Sequence, residues 1–556
     1  MNKIFEKPAL FLTLIILLCG YLFFFRLGAM ALTDPDETFY AQTAREMTAR
    51  HEWTTPYLYG KPQFEKPIFF YWLLELSYGI FGINEFAARF PSAVFALIGV
   101  IAIYFLGRLL FNGRVGGLAA LMLATNVEYV ILSRACVTDM VLFTFMLLGV
   151  LFFFCGLLKG KGYFYILSAA AFGLATLTKG PVFLALPLAV IFIYLIWTKD
   201  LKIITKMPVI LCILAFLVVA LPWYLLMYKL HGNAFIDAFF GFHNITRFME
   251  SEHKIGSQVY YNIPIILGGY FPWSVFLPFG LWHIFKKGQG ARGKGQVEKK
   301  SSVFILTWLI VIFLFFTVSS TKLPTYIFPV FMSLALITAV LWDDFLKKGA
   351  AASTVRGVKI SYYLFPVLVI VGSVAAGIYI YFDYPPITGG VIVSCLFLVF
   401  GAVLSLAAFI RKRFILAMAL IIYALVIFLY PFSELVLPIL ERYETSKEVS
   451  LKLSSLVSPG DKIASESNYL AGLAFYTGIL PEYDIDKHYM LVRFFNSEAR
   501  IWCVLKEKNH RGLYDPVTTS EYVKPSYVVY RVGKRNLATN KLPEGTAYLF
   551  KRERPE

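Results

Sequence analysis

The chain has 556 residues, 58% of them hydrophobic, 17% aromatic and only 16% charged, whereas soluble domains carry roughly 45–50% apolar and about 25% charged residues. These figures exclude a water-soluble enzyme, a disordered chain, a collagen-like fibre and a secreted disulfide scaffold. They predict a polytopic α-helical membrane protein, and the net charge of +17 belongs to connections between apolar runs rather than to a nucleic-acid surface.

Apolar runs near 20 residues mark spanning helices. Thirteen are predicted, over 8–26, 87–110, 116–133, 138–158, 163–178, 181–198, 207–228, 262–285, 302–319, 325–345, 361–382, 389–410 and 414–432. Alternate connections are basic: Lys3 and Lys7, Arg108 and Arg114, Lys159 and Lys161, then Lys199, Lys202 and Lys206. The series continues through Lys286 to Lys300, Lys347 to Lys359, and Arg411-Lys412-Arg413. The positive-inside rule assigns these to the cytoplasm, against the anionic inner leaflet. The N-terminus is then cytoplasmic, and 33–86, 229–261 and 433–556 face outside. Residues 1–31 imitate a signal peptide, with Ala29-Met30-Ala31 at a cleavage-like position. The stretch Ala9 to Phe25 is long enough to span, so it is expected to stay as the first helix.

Two outer segments are too long to be simple turns. In 33–86, Asp34-Pro35-Asp36-Glu37 before FYAQTAREM reads as a capped helix start with acids in its first turn. Phe39, Tyr40, Thr43 and Met47 fall on one face of that helix. Ile68 to Phe81 is too short to span and is interrupted by Glu75, which predicts a second interfacial helix. From 433 onward the composition shifts. Pro459-Gly460-Asp461 predicts a turn before the KIAS segment, SNYLAGLAFYTG a helix, and ARIWCVLKE and SYVVYRVG buried strands. The organisation expected is a transmembrane part over 1–432 and a small α/β domain over 433–556, ending in a strand at TAYLFKRERPE.

The six cysteines show no CxxC or Cys/His pairing, and Cys503 stands alone in the C-terminal segment, so no internal disulfide is expected there. His243, Glu250, Glu252 and His253 match no standard zinc spacing and read as solvated loop residues. The informative feature is a set of ionisable residues at outer span ends, where charge is costly and tends to be functional. The acids are Asp34, Asp36 and Glu37 after the first span and Asp139 in SRACVTDM; helix capping is their plain alternative. The bases are Lys66 in FEKPIFFYW, Lys179 in LTKGP, Arg247 in HNITRF and Lys322 in SSTKLPTY. Each breaks the positive-inside pattern. A snorkelling base explains any one alone, but Pro67, Gly180 and Pro324 close behind the three lysines predict defined turns. Cations clustered at headgroup level suit a lipid phosphate or pyrophosphate.

In these stretches the sequence resembles the aminoarabinose transferases of Gram-negative bacteria, within the wider group of protein O-mannosyltransferase-like enzymes. These are GT-C-type glycosyltransferases, which take sugars from polyprenyl-phosphate donors. The matching segments are PDETFYAQTAREM, Trp53 through EKPIFFYW, VTDM, TKG, LPW, HNITRF, YYNIPIILGGYFPW and STKLPTYIFP, in family order over residues 1–345. Where the family's first loop often reads Asp-Glu-x-Arg-Tyr-Ala-Glu, Phe39 and Gln42 stand in place of the Arg and the second Glu. The departure leaves the sugar and the acceptor open, not the reaction class.

The resemblance implies a sugar carried on undecaprenyl phosphate, an acceptor at the outer face of the inner membrane, no nucleotide and no obligatory metal. Lys66 and Lys322 are then the leading candidates for the donor phosphate, with Tyr326 as a hydrogen-bond donor and Arg247 in reserve. Asp36 is the carboxylate placed nearest the reacting centre, Glu37 and Asp139 assist it, and Asp34, Glu65, Lys179 and Tyr40 support. A lipid A phosphate leads as acceptor, a hydroxyl on a protein follows. The rival classes are a polyprenyl-lipid transporter or flippase and a non-catalytic membrane scaffold, the latter explaining the outer domain but not the acids and cations together. Transporters place ionisable groups near the bilayer midplane in repeated, broken helices; here they gather at one face and no repeat is visible.

Overall fold

The computed structural model describes residues 8–246, 258–289, 296–480, 483–484, 500–506, 527–532 and 535–539. Its helices begin with α1 (Pro8–Phe24), α2 (Asp36–Arg50), α3 (Phe69–Phe81), α4 (Glu85–Leu110), α5 (Gly113–Ala124), α6 (Val127–Ser133) and α7 (Asp139–Lys159). Next come α8 (Tyr163–Lys179), α9 (Val182–Trp197), α10 (Val209–His231), α11 (Asn262–Gly269), α12 (Leu277–Gln289) and α13 (Gln296–Val318). The last are α14 (Phe331–Phe345), α15 (Ala352–Asp383), α16 (Thr388–Ile410), α17 (Phe414–Pro431), α18 (Leu437–Glu444), α19 (Lys447–Ser454) and α20 (Ser467–Thr477). Two compact units emerge that do not follow chain order. Residues 1–27, 64–73 and 89–431 make the first, and 28–63, 74–88 and 432–556 the second.

Among the described residues, eight helices are long and apolar enough to cross a membrane, or ten if two sharply bent pairs each count as one span. The chain is a multi-pass α-helical membrane protein. Two predicted spans are not single helices. The run at 116–133 breaks between α5 and α6 with a 67° bend. There the Asn126 side chain accepts the Tyr129 N–H at 2.9 Å and donates to the Leu123 carbonyl at 2.7 Å, starting a new helix instead of continuing the old one. The run at 262–285 bends by 111° before Trp273–Gln289; Pro272 brings no N–H to continue the helical ladder.

With little hydrophobic drive between helices in lipid, close approach and interhelical hydrogen bonds hold the first unit. A Cβ on Gly107 would lie 2.8 Å from the Gly116 Cα, so glycine at both positions lets α4 and α5 cross almost in backbone contact. The Tyr129 hydroxyl donates to the Ala96 carbonyl, Thr144 to that of Phe95 and the Trp308 indole to that of Pro329, at 2.7, 2.8 and 2.9 Å. On α10, Ile210, Val218 and Leu225 stay exposed, as side chains facing acyl chains do.

In the second unit, α2 is joined by the C-terminal half of α3 and by a two-strand hairpin, β1 (Tyr57–Leu58) and β2 (Lys61–Pro62). Its α/β part is a sheet of β3 (Lys462–Ser465), β4 (Tyr483–Asp484), β5 (Ile501–Lys506), β6 (Tyr527–Val532) and β7 (Arg535–Thr539), in the order β4-β3-β5-β7-β6. β4, β3 and β5 run parallel, with α20 as the crossover from β3 to β4; β7 pairs antiparallel with β5 and β6. Val449, Leu453, Ile463, Leu473, Trp502, Val504 and Leu537 form the core beneath it. The predicted turn before β3 is present, with Gly460 at φ +89°. Asp461 accepts the Ser458 N–H and the Trp502 indole N–H, both at 2.9 Å, and pairs with Arg500 at 2.8 Å. Burial opposes its charge, yet these three partners outweigh burial and hold the carboxyl below its usual range. The terminal strand expected at TAYLFKRERPE lies outside the described residues.

Candidate functional site

In the first unit the predicted charges at one end of the spans come together. Asp139 opens α7 and Lys179 closes α8, each at the helix end whose dipole favours its charge. The two meet in an ion pair of 2.5 Å, with both side chains buried. The Lys179 ammonium also lies 5.1 Å from the centre of the Tyr326 ring and 5.8 Å from that of Phe183, within cation–π range. Tyr326, expected as a hydrogen-bond donor, thus presents its ring to a lysine. It sits in a short turn, Pro324–Val330, entered through Leu323, whose extended backbone (φ −112°, ψ 148°) is what a following proline demands.

Four residues before that tyrosine, Lys322 is 6% exposed and pairs with no carboxylate among the described residues. Its loop is ordered by the Ser319 hydroxyl, which donates to the Thr321 carbonyl at 3.0 Å. A buried ammonium without an acid beside it is costly unless an anion arrives. The contrast with Lys179 is direct, because that lysine is neutralised within the protein. Lys66 is intermediate: its neighbour Glu65 lies 3.2 Å away, and both side chains keep partial access. Arg247, held in reserve, lies outside the described residues, as do Glu250, Glu252 and His253.

In the second unit the first-loop acids separate into different tasks. α2 starts at Asp36 as predicted, but Pro35 makes no side-chain cap. Glu37, 4% exposed, reaches back and accepts both the Thr33 N–H at 2.9 Å and the Thr33 hydroxyl at 3.0 Å. Asp34 accepts the Thr38 hydroxyl at 3.0 Å and the Ser446 N–H at 2.7 Å. Both carboxylates therefore work as struts of the helix start. Asp36 is exposed, so its carboxylate faces outward from a fixed backbone. Tyr40 is buried, with its ring edge-on to Phe39 at 5.2 Å between centres.

Two further acids, Glu46 and Glu75, received no site role from the sequence. Glu46, buried on α2, accepts the N–H groups of Tyr59 and Gly60, both at 2.8 Å, and the Gln42 amide at 2.9 Å. It fixes a tight turn whose two central residues have positive φ, +54° and +76°; the Tyr-Gly pair between short strands was the available signal. Glu75 on α3 is 5% exposed, and its Oε2 finds no hydrogen-bond partner among the described residues. Burial, with a smaller contribution from Glu52, pushes its carboxyl up to about 7. At the far end of α14 lies a separate charge cluster, in which Asp343 pairs with Arg114 at 2.8 Å and Asp344 with Lys287 at 2.7 Å. It ties span ends together away from the residues above.

Known proteins resemble the chain in both sequence and fold. Residues 65–225 match the family described as dolichyl-phosphate-mannose-protein mannosyltransferase. An undecaprenyl phosphate-α-4-amino-4-deoxy-L-arabinose arabinosyl transferase of Pseudomonas fluorescens is 31% identical over 343 residues, 61% of this chain and 60% of that protein. Its namesake from Edwardsiella ictaluri is 30% identical over 376 residues, 67% of this chain and 65% of the other; the matched region thus spans less than two thirds of either relative. The crystal structure of ArnT from Cupriavidus metallidurans bound to undecaprenyl phosphate superposes with a TM-score of 0.78 at 21% identity, covering 95% of this chain and 98% of that one. The Archaeoglobus fulgidus oligosaccharyltransferase gives 0.55 at 12% identity, over 98% and 76%. Over about three fifths of its length the sequence is thus similar to the bacterial aminoarabinosyl transferases, and the fold is that of the GT-C membrane enzymes.

Proposed function

We propose that the chain is an integral membrane glycosyltransferase that moves 4-amino-4-deoxy-L-arabinose from undecaprenyl phosphate to a phosphate of lipid A. It acts at the outer face of the bacterial inner membrane, with a cytoplasmic N-terminus and residues 433–556 in the periplasm. The observation that carries this reading is the buried Lys322 ammonium, which has no carboxylate partner among the described residues, four positions from a tyrosine already engaged by the Lys179–Asp139 pair. Support for the substrate class comes from the names of the relatives.

In the proposed reaction an acceptor oxygen attacks the anomeric carbon as the bond to the lipid phosphate breaks. The leaving group is a polyprenyl phosphate that gains negative charge. Lys322 and Lys66 stabilise that charge where it develops, with Arg247 as a further cation. The Lys179–Asp139 pair keeps the Tyr326 turn in place. A lipid A phosphate is already ionised near neutral pH and needs no base, so Asp36 holds the donor's amine. With a hydroxyl acceptor Asp36 takes its proton instead. Neither route requires a nucleotide or an obligatory metal. The match to the mannosyltransferase family over 65–225 favours a second reading, transfer of a hexose to a protein.

The test is purified protein in lipid nanodiscs with an undecaprenyl-phosphate sugar, offered lipid A and an envelope-protein fraction in parallel, with products read by mass spectrometry. Sugar on lipid A, undiminished by EDTA, is expected. Sugar on protein alone selects the second reading, and movement of intact donor between leaflets without any product selects a flippase.

A further inference from the structure

We propose that α20, in the C-terminal part of the second unit, is the element that positions the first-loop carboxylate, with Gly472, Ser446 and Tyr476 as positioning residues; this rests on the transferase reading of Asp36. The contacts bracket Asp36 on both sides. Ahead of it, the Leu32 N–H donates to the Tyr476 hydroxyl at 2.7 Å. Two residues before it, the Asp34 N–H donates to the Glu444 carbonyl at 3.3 Å, and the Asp34 carboxylate accepts the Ser446 N–H at 2.7 Å. Behind it, the Arg45 guanidinium donates to the carbonyls of Ala474 and Phe475 near the end of α20 and lies over the Phe475 ring. None of these groups touches the chain only locally: each joins the first loop to a segment some 400 residues away.

Gly472 shows why this junction demands its sequence. It lies inside a helix, where alanine is preferred over glycine, and its backbone does not have positive φ. Yet a Cβ there would come 2.3 Å from Asp34 Oδ1 and 2.1 Å from Ser446 Oγ. The Asp34 carboxylate is held from two other directions, by Thr38 and by the Ser446 N–H, so it cannot retreat without dragging the start of α2. The missing methyl is thus required by the loop that carries Asp36 and not by the helix that carries the glycine. A reacting carboxylate must be held to a fraction of an ångström, and a misplacement of about 1 Å is worth roughly a hundredfold in rate.

The test uses full-length protein in nanodiscs and three variants. Gly472→Ala pushes on Asp34, Tyr476→Phe removes the acceptor of the Leu32 N–H, and Gly377→Ala on α15, where an added Cβ meets nothing within 4 Å, is the control. Gly472→Ala is expected to lower kcat by roughly ten- to a hundredfold, and Tyr476→Phe to do the same more weakly. Gly377→Ala should match wild type. Amide exchange over residues 32–38, measured without donor, should quicken in the first two variants. Normal kcat in a folded Gly472→Ala protein, or unchanged exchange at 32–38, overturns the inference; if that variant does not fold, the same readings on Tyr476→Phe decide. Quickened exchange in the two variants, together with a wild-type protein that transfers no sugar, leaves the junction standing and removes the transferase reading instead.

Discussion

The charged residues of the two units are used in opposite ways. In the first unit one acid and one base at span ends cancel, Asp139 against Lys179 at 2.5 Å, and Lys322 is a buried base with no carboxylate partner among the described residues. In the second unit two acids, Asp34 and Glu37, are tied to backbone N–H groups and threonine hydroxyls, and the exposed one is Asp36. Position at a span end therefore does not by itself mark a functional charge. The candidate reactive groups have a different setting in each unit, a buried base with no carboxylate among the described residues in the first and an acid exposed to solvent in the second. That contrast orders the experiments that follow.

The largest effect is expected at the exposed acid. Asp36→Asn keeps the side chain's size and its ability to start a helix, so melting should be unchanged while transfer falls about a hundredfold or more, through loss of the charge that holds the donor's amine or, with a hydroxyl acceptor, of the proton acceptor. Asp34→Asn should differ in losing stability as well, because it weakens charge-assisted bonds to Ser446 and Thr38. Its main signature is a lost stability of roughly 1–3 kcal/mol, read as a lowered melting temperature. Near-normal transfer by Asp36→Asn would dissolve the distinction between the two acids.

A smaller effect is expected at the bases. Lys322→Ala should weaken donor use about ten- to a hundredfold, corresponding to roughly 1.5–3 kcal/mol for a charge-assisted phosphate contact. Lys286, whose ammonium lies over the Trp282 ring at 4.7 Å, carries the same charge among the basic connections. Lys286→Ala should leave donor KM as it is. Equal donor KM in the two variants would show that the buried, acid-free setting of Lys322 has no bearing on phosphate.

The helices of both units were legible in the sequence because their signals are local. Apolar runs set the spans, an acid-rich first turn set α2, and a Pro-Gly-Asp turn set β3. The breaks at Asn126 and Pro272 were missed because a hydropathy window averages across them, although each carried its own mark. What could not be read was which charges were already engaged. The link from Asp34 to Ser446 spans 412 positions and that from Arg45 to Ala474 spans 429, and no periodicity reports contacts so distant. Glu37 and Asp139 were placed beside the reacting centre on residue type and position. The structure gives both of them hydrogen-bonding or ionic work inside their own unit, and it adds Glu46, which sequence alone showed as one more charge on a helix.

The last and smallest expected effect concerns Glu75, an acid of the second unit whose Oε2 has no hydrogen-bond partner among the described residues. Its carboxyl is raised from 4.5 to about 7, chiefly by burial and then by Glu52. Between those two values the folded protein holds a proton that the unfolded chain has released. Stability must then fall as pH rises through that window, by up to about 1.4 kcal/mol per pH unit, and level off above it. Glu75→Gln keeps the shape and cannot ionise, so this part of the pH dependence should vanish. The melting temperature of the variant, measured relative to wild type, should climb between pH 5 and pH 8, with little difference at the acid end, where the wild-type carboxyl is already neutral. Parallel melting curves for the two proteins over that range would mean that Glu75 finds water or a base when charged, and that an unpartnered acid in the second unit is tolerated as readily as the paired ones.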